Sequence, residues 1–522
     1  MEQPKTLKLN YKRTLFVGFA FFLICTFWQA YDTIIPKILT DKYGMSQANS
    51  GIIMALDNVL ALFMLPLFGA ISDKCASKRG RRTPFIIIGT VIAAVALVGL
   101  SFVDNAQAKN IEKVSIIDDP ASLAVLYEAE ADTVLKAPDG TDYVLSRRFD
   151  EETFTAITSQ IETDGKLTTN PDYTNYVVPA RQAYARAQTA ANPTTLIVFI
   201  AVLLVILVSM AIFRSPAVAL MPDVTPKPLR SKANAIINLM GTAGGIVVLG
   251  LGMVFATGSV KNALMSYTTF FAIISGIMLI ALAVFLWKVK EPRFVQEMEQ
   301  QTREFHLEDA ASAEGGSKKL TKSERASLLL ILASVVFWFM GYNAVTSKYS
   351  VYAGKVLSLD YNSTLMLANI AAIIAYLPVG FIASKIGRKK SILAGIVMLS
   401  TSFLVASFLR EGSSAALMNC MFALAGIGWA TINVNSFPMV VELSRGGDVG
   451  KYTGFYYTAS MAAQTITPWI SGMFMDRIGL TTLFPYATIF VALAFVTMLF
   501  VKHGDSKPIP TASKLEAFSD ND

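Results

Sequence analysis

The sequence is poor in the residues on which most enzymes rely. Three cysteines, Cys25, Cys75 and Cys420, are scattered along 522 residues, which excludes a disulfide framework or a paired-cysteine metal site. The two histidines, His306 and His503, both lie outside the long apolar runs. This position excludes a histidine-based triad, metal site or proton shuttle in an apolar environment. We expect a protein that is not an enzyme and that carries no metal and no cofactor.

Charged residues are also scarce. They make up 16% of the chain, whereas hydrophobic residues make up 53% and the mean hydropathy is +0.49. A soluble protein needs about a quarter of its residues charged, so most of this surface must face an apolar medium. The net charge of +7 is unevenly distributed, because residues 104–193 carry −7 and the remainder carries +14. The expected surroundings are a lipid bilayer, with no nucleic-acid partner.

Long apolar runs are what the chain has in abundance. A helix needs about 20 apolar residues to cross the hydrocarbon core of a bilayer, and twelve runs are close to that length. We therefore predict an all-α membrane protein with twelve transmembrane helices. The predicted spans are 14–36, 50–72, 84–103, 195–221, 232–257, 264–287, 326–347, 362–384, 391–409, 414–437, 452–475 and 480–501.

Lysine and arginine cluster at span ends that an alternating topology places on one side. The clusters lie at 5–13, 74–82, 227–232 and 385–390. Because positive charge marks the cytoplasmic side of a membrane, both termini are predicted to be cytoplasmic. We expect a multi-pass monomer in the plasma membrane.

A polar segment, residues 104–193, interrupts the spans on the predicted outer side. Apolar stretches around an Asp139-Gly140 turn at 133–145 predict a β-hairpin. Residues 150–161 are typical of a helix, and 179–191 are predicted to extend the fourth span outward as a helix. We expect a small exofacial α+β insert.

The spans and the polar segments together predict the division of the chain. Two six-helix halves are expected, and the insert interrupts the first of them. The predicted units are an N-terminal half (1–103 and 194–287), the insert (104–193), a cytoplasmic linker (288–325), a C-terminal half (326–501) and a cytoplasmic tail (502–522).

The two halves repeat short sequence patterns. Residues 65–82 (LPLFGAISD, then GRR) correspond to 377–389 (LPVGFIASK, then GRK), and 215–223 (SPAVALMPD) corresponds to 436–442 (SFPMVVE). Twelve spans with such repeats resemble the major facilitator superfamily. Within it, 69–84 and 216–234 resemble the sucrose-carrier-like and glycoside–pentoside–hexuronide:cation symporter families. The resemblance implies a secondary transporter that works by alternating access.

Charged residues of these repeats are predicted to form a cytoplasmic gate, as the resemblance implies. We expect Asp73 to pair with Arg81 or Arg82 and to bond backbone amides at the start of span eleven near Gly450. The alternative is that these charges only orient the protein in the membrane. The gate candidates are Gly69, Asp73, Gly80, Arg81, Arg82, Asp223, Arg388 and Glu442.

Two acidic residues lie inside predicted spans, where charge is costly and therefore informative. Asp32 lies ~28 Å along its helix from Arg13, and Asp57 lies ~24 Å from Asp73. At comparable depths the two carboxylates could share a proton or bind a small cation, so both are candidates for cation coupling. Alternatively, Asp32 lies at the outer interface and is merely solvated. An acid of the resembling sucrose carriers is replaced here by Leu207, so the coupling ion, proton or sodium, stays open.

Aromatic and amide side chains inside the spans predict a solute cavity. Aromatic faces suit the C–H faces of sugar rings, and amides suit their hydroxyls. Arg214, ~13 Å along its helix from Asp223, needs a polar or acidic partner. The alternative for the tryptophans is helix packing. The cavity candidates are Trp28, Gln29, Asn58, Arg214, Trp338, Asn343, Asn369, Trp429, Asn433 and Gln464.

These features favour cation-coupled symport of a sugar, glycoside or related polar solute. An exporter of amphipathic metabolites or drugs is the alternative within transport, because an aromatic, methionine-rich cavity suits such compounds equally well. A membrane sensor that binds solute on its insert is the alternative of another class. The expected partners are a small-molecule solute, a coupling cation and the bilayer.

Overall fold

Twelve long helices account for most of the described chain. A computed structural model of the protein describes residues 9–163, 166–226, 229–304, 320–443 and 449–505. Ten of the helices are long and apolar enough to cross a membrane, which confirms ten of the twelve predicted spans. Two more stand where spans eight and eleven are predicted. The helices are α1 (Tyr11–Lys42), α2 (Gln47–Asp73), α3 (Thr83–Asn110), α4 (Thr194–Asp223), α5 (Arg230–Val254), α6 (Thr268–Lys288), α7 (Lys322–Tyr352), α8 (Tyr361–Ile386), α9 (Arg388–Ala406), α10 (Ala415–Val441), α11 (Val449–Ile478) and α12 (Leu483–Leu499).

Local capping chemistry sets where several of these helices begin. The Ser46 side chain accepts a hydrogen bond from the Asn49 amide at the start of α2. Thr321 and Glu324 form a reciprocal capping box at the start of α7. Polar residues that end the loops therefore also satisfy the first free amides of the helices.

Helices α1 and α7 run further than the hydropathy predicts. Each finishes in a π-helical turn, at Ile38–Lys42 and Ala353–Leu357. Buried ion pairs hold these turns, because Lys42 Nζ lies 2.6 Å from Asp104 and Lys355 Nζ lies 2.8 Å from Asp41. A hydropathy profile does not detect such pairs, because their residues lie far apart in the sequence.

Helix packing repeats between the two halves. Helix α1 packs on α5 as α7 packs on α11, α2 on α4 as α8 on α10, and α3 on α4 and α6 as α9 on α10 and α12. Each half has its own apolar core. The halves meet where α2 packs on α11, α5 on α8 and α1 on α7. The two-fold repeat predicted from short sequence patterns is therefore present in the packing.

The bundle has two polar ends, which we name by what they carry. The insert face carries residues 111–193, and the linker face carries the linker helix, Glu291–Glu304. Residues 305–319 of the predicted linker and 506–522 of the predicted tail lie outside the described residues.

The insert is a small α+β unit with a core of its own, which confirms the predicted class of this segment. Strands β1 (Val134–Lys136) and β2 (Asp142–Val144) form the predicted hairpin, and Gly140 turns between them at φ +95°. A second antiparallel pair consists of β3 (Gln160–Thr163) and β4 (Lys166–Thr169).

Two details of the insert differ from the prediction. The helix predicted over 150–161 covers only Glu151–Thr155, and Ile161 lies in β3. A run of β-branched residues at 157–158 disfavours helix, and the Ser159 hydroxyl donates to Asp118 at 2.6 Å. The predicted helix at 179–191 forms as Val178–Ala191 but does not continue into α4. It ends at Asn192, because a residue before proline avoids the helical conformation.

The tip of the β1–β2 hairpin docks on the end of α11, in the opposite half. The Leu480 amide donates to Pro138 O at 2.8 Å, and Lys136 Nζ donates to Arg477 O at 3.1 Å. A Cβ atom on Gly140 would lie 1.8 Å from Ile478 O, so only glycine permits this approach.

We predict that Gly140→Ala detaches the hairpin from α11. The control is Gly412→Ala, which replaces another positive-φ glycine whose Cβ would meet nothing within 4 Å. The control should cost only the conformational strain of about 1–2 kcal/mol, whereas Gly140→Ala should lower the melting temperature further. It should also expose the hairpin to limited proteolysis. Equal effects of the two substitutions on both measurements would contradict the docking.

Candidate transport site

Three ionisable side chains from three helices of the N-terminal half come together inside the bundle. Asp32 on α1 interacts electrostatically with both Asp57 on α2 and Arg214 on α4, and Asp57 interacts with Arg214. The Asn58 amide donates to Asp57 Oδ1 at 2.7 Å. The structure therefore places the two candidate coupling carboxylates within electrostatic range of the candidate arginine. We call Asp32, Asp57 and Arg214 the charge triad.

An aromatic side chain adjoins the charge triad. The guanidinium carbon of Arg214 lies 5.4 Å from the centroid of the Trp28 ring, within range of a cation–π interaction. Trp28 in turn packs edge-on against Phe27 and Tyr31 at 5.2 and 5.4 Å. Trp28 is therefore held between its own helix neighbours and the arginine.

Residues of the C-terminal half face the same site from across the bundle. Asp32 interacts electrostatically with Tyr342 on α7, and Arg214 interacts electrostatically with Tyr457 on α11. Tyr342 stacks on Trp429 of α10, with ring centroids 3.6 Å apart and planes inclined by 2°. The charge triad therefore lies at the seam between the halves. Neither tyrosine was among the predicted site residues, and their polar hydroxyls within the apolar spans 326–347 and 452–475 are the signal that could have found them.

Two amide candidates from opposite halves lie beside Gly245 at the seam. A Cβ atom placed on Gly245 of α5 would lie 3.3 Å from Gln29 Oε1 and 3.9 Å from Asn369 Nδ2. Gln29 belongs to α1 and Asn369 to α8, so both halves contribute a polar group here.

Four other cavity candidates have different surroundings. The amide groups of Asn433 and Gln464 each donate to a carbonyl one turn back, at 3.2 Å. Asn343 Nδ2 is buried without a hydrogen-bond partner among the described residues. Trp338 is fully buried in the core of the C-terminal half. These surroundings agree with helix packing, the alternative for Trp338, and its place among the cavity residues stays a prediction.

The gate candidates of the N-terminal half form one cluster on the linker face. Arg82 pairs with Asp73 and, through Nε at 2.8 Å, with Asp223, and Arg81 lies 2.9 Å from the same aspartate. Arg82 also donates to Gly69 O at 3.4 Å. All of these residues belong to one half. The predicted partner region of Asp73 near Gly450 includes residues 444–448, which lie outside the described residues.

Glu291 of the linker helix caps the start of α3 beside this cluster. Its carboxylate accepts from the Arg82 amide at 2.9 Å and from the Thr83 amide at 2.8 Å. Gly80, at φ +105°, makes room for it, because a Cβ atom there would lie 2.2 Å from the Glu291 carboxyl carbon. The absence of a side chain at Gly80 thus lets the carboxylate reach the helix start.

The corresponding cluster of the C-terminal half is smaller. Arg388 Nη1 lies 2.8 Å from Glu442. Asp505 caps the start of α9 by accepting from the Arg388 and Lys389 amides at 2.6 and 3.2 Å. These contacts also stay within one half.

Hydrogen bonds that join the two halves lie at the insert face. Asp476 on α11 accepts from the Gln47 and Ala48 amides at the start of α2, at 2.8 and 2.7 Å. Lys348 of α7 donates to Gln47 O at 2.5 Å. A carboxylate at a helix start gains from both the free amides and the helix dipole. The structure is therefore closed at the insert face.

Other close approaches at the insert face strengthen this closure. Thr257, after α5, lies 2.7 Å from the Tyr361 hydroxyl and accepts from Asn362 of α8 at 3.0 Å. A Cβ atom on Gly51 of α2 would lie 2.1 Å from Pro468 O of α11. Small residues thus let helices of opposite halves touch directly.

Fold and site together define a helical membrane protein with a polar seam between two repeated halves. Its sequence agrees with that class. A profile described as "Major Facilitator Superfamily" matches residues 183–463 and 360–519, and one described as "MFS/sugar transport protein" matches 17–112. The chain therefore belongs to the Major Facilitator Superfamily, which confirms the resemblance drawn from the repeated motifs.

Individual relatives match only short stretches. The chain is 39% identical over 69 residues to the sucrose transport protein SUC3 of Arabidopsis thaliana, covering 13% of this chain and 11% of the relative. It is 33% identical over 98 residues to the proton-associated sugar transporter A of Homo sapiens, covering 19% and 13%. The chain thus matches less than a seventh of the length of either relative.

Solved structures match the whole fold. The inward-open xylose transporter XylE from E. coli aligns with a TM-score of 0.57 at 13% identity, covering 97% of this chain and 99% of that one. A D-xylose-proton symporter aligns with a TM-score of 0.56 at 13% identity, covering 95% and 99%. These likenesses confirm the all-α fold of two helical halves.

We predict that Asp476→Asn opens the insert face. The control is Asp505→Asn, which removes the same kind of helix cap but within one half. Each substitution should cost about 1–3 kcal/mol, the range for hydrogen bonds to a charged group. Only Asp476→Asn should lengthen the distance between spin labels on Met45 and Leu480, measured by electron–electron double resonance. Unchanged label distances in Asp476→Asn would show that this carboxylate does not hold the halves together.

Proposed function

We propose that this protein is a secondary active transporter that couples the movement of a cation to that of a sugar, glycoside or related polar solute. The charge triad at the seam between the halves is the observation that carries the proposal. Because the triad belongs to the N-terminal half but faces Tyr342 and Tyr457 of the other half, its surroundings change when the halves rock against each other. The membership of the chain in the Major Facilitator Superfamily supports alternating access as the mechanism.

The balance of charge in the triad supports binding of one cation. With both carboxylates ionised, Asp32, Asp57 and Arg214 sum to one negative charge in an apolar bundle. Uptake of one proton or one small cation neutralises them, and an apolar environment favours that neutral state. We take the proton as the coupling ion, because relatives are described as a proton-associated sugar transporter and a D-xylose-proton symporter.

The surroundings of the triad support a sugar as the solute. The rings of Trp28, Tyr342 and Trp429 offer aromatic faces, and Gln29 and Asn369 offer amides from opposite halves. Such a mixture matches the C–H faces and hydroxyls of a sugar. The descriptions of the matched relatives, which name sucrose, xylose and sugar, agree with this choice.

We assign the linker face to the cytoplasm and the insert face to the exterior, in a monomer of the plasma membrane. The basic clusters on the linker face support this orientation. In this orientation, the contacts of Asp476, Lys348 and Thr257 close the structure on its exterior side. The clusters around Arg82 and Arg388 are the parts that would meet when the cytoplasmic side closes. Within each half, the arginine is already positioned by its ion pair with Asp223 or Glu442.

We predict that Asp57→Asn uncouples transport from the ion gradient. In reconstituted vesicles the variant should lose gradient-driven accumulation of labelled sucrose or xylose by tenfold or more. It should retain sugar exchange at equilibrium, because exchange needs no net movement of the cation. Asp142→Asn, which removes an exposed acid of the insert, is the control and should accumulate sugar normally.

Two outcomes would contradict this proposal in different ways. Full gradient-driven accumulation by Asp57→Asn would remove Asp57 from the coupling site. Absence of exchange by the unaltered protein across a panel of sugars would exclude a sugar solute, and efflux of amphipathic compounds would then favour an exporter.

A further inference from the structure

A partly open cavity lies at the insert face, away from the charge triad. Its volume is about 40 Å³, roughly three times what a single water needs, so it admits only a small ligand. Four parts of the chain meet around it: the end of α1, the α5–α6 connection, the end of α7 and the insert helix Val178–Ala191. Both halves and the insert therefore contribute to one cavity, which we call the junction cavity.

Arg181 of the insert lines the junction cavity, and two of its three guanidinium nitrogens have no hydrogen-bond partner among the described residues. Its side chain is almost fully buried, and Nη1 donates to the Tyr173 hydroxyl at 2.6 Å. Nε and Nη2 are buried without a hydrogen-bond partner among the described residues. These two nitrogens form one edge of the planar guanidinium, the edge that binds both oxygens of a carboxylate or phosphate. Leaving it empty inside a protein costs free energy.

The side chains around the cavity carry more positive than negative charge, which favours the binding of an added anion. Lys37 and Lys355 line it together with Arg181, whereas Asp41 is the one acidic residue in its lining. Asp41 is already engaged, because Lys355 Nζ lies 2.8 Å from it and the Thr40 hydroxyl and Gln182 amide each donate to it at 3.2 Å. Lys355 Nζ makes no well-directed hydrogen bond among the described residues.

The other charged residues near the cavity also have partners, and they do not supply the missing negative charge. Lys37 donates to Thr257 O and also interacts with Asp360 of α8. Asp360 in turn accepts from the Asn362 amide group at 2.8 Å. Three cationic side chains thus face two carboxylates that already have partners. One further negative charge would balance the site.

The rest of the lining is apolar and narrows the choice of ligand. Val260, Leu264 and Val351 form much of the wall. An inorganic anion would leave these side chains without contacts, whereas a short hydrocarbon body would cover them. From the free edge of Arg181, the excess of positive charge and this wall, we propose that the junction cavity binds a small organic carboxylate. The carboxylate lies on Nε and Nη2 of Arg181, and its apolar body lies against Val260 and Leu264.

Such a ligand would favour one state of the protein. The junction cavity exists only while α1, α7 and the insert are together at the insert face. A ligand that binds one conformation shifts the population toward it. The carboxylate is therefore a regulator that stabilises the outward-closed state, at a site separate from the solute. This inference does not require the proposed solute or coupling ion to be correct.

Thermal unfolding of the full-length protein in detergent tests the site directly. Sodium butyrate is the probe, with sodium chloride at matched ionic strength as reference and sodium phosphate as the inorganic arm. We expect a saturable rise in melting temperature with butyrate alone. Arg181→Lys keeps the charge but removes the two-nitrogen edge, and it should need about tenfold more butyrate. Arg148→Lys, at an exposed position of the insert, is the matched control and should respond as the unaltered protein does.

A second variant keeps the test decisive if Arg181→Lys does not fold. Ala263→Phe places a large ring inside the cavity and leaves Arg181 unchanged. It should also abolish the butyrate response. A response that is the same in Ala263→Phe and the unaltered protein would overturn the site. A response to phosphate but not to butyrate would overturn the organic carboxylate. No response to either anion would mean that water alone satisfies Arg181. Because no transport is measured, these results are independent of the uptake experiments.

Discussion

Compensation of charge inside an apolar bundle is the constraint on which the arrangement of this protein depends. Lys42 and Asp104 show it most clearly, because both side chains are fully buried and their charged atoms lie 2.6 Å apart. Ionised groups without such partners are costly at membrane depth. The few charges therefore collect in a small number of places: the central triad, the clusters of the linker face and the contacts of the insert face. Each place joins several helices, so the same pairs that neutralise charge also determine which helices move together.

Carboxylates that cap the starts of distant helices are a repeated device in this fold. Glu291 of the linker caps α3 and Asp505 of the tail caps α9, each on the half that it adjoins, whereas Asp476 of α11 caps α2 in the other half. The chemistry is the same in all three cases, but the consequences differ. The first two contacts make each half rigid. The third is broken whenever the halves separate, so its free energy enters the balance between the two open states.

Patterns that depend on neighbours in the sequence could be predicted. Hydropathy located the helices, the Asp139-Gly140 turn located the hairpin, and the repeated motifs indicated the superfamily. The comparable depths of Asp32 and Asp57 in their helices predicted that these two carboxylates act together, whereas Arg214 was predicted separately as a cavity residue. Contacts between residues far apart in the sequence escaped prediction. Asp476 and Glu291 each stand near the end of a helix, where a charged residue is ordinary, and only the packing shows that each meets a partner on another element.

The docking of the hairpin on α11 has a consequence for how the protein can be observed. The insert is joined by both of its ends to the N-terminal half, yet its tip rests on the C-terminal half, where Pro138 O accepts from the Leu480 amide. Rotation of one half against the other must therefore cover or uncover the surface of the hairpin tip. An antibody fragment raised against that surface would recognise one arrangement of the two halves, and it would report that arrangement from the insert face without touching the charge triad.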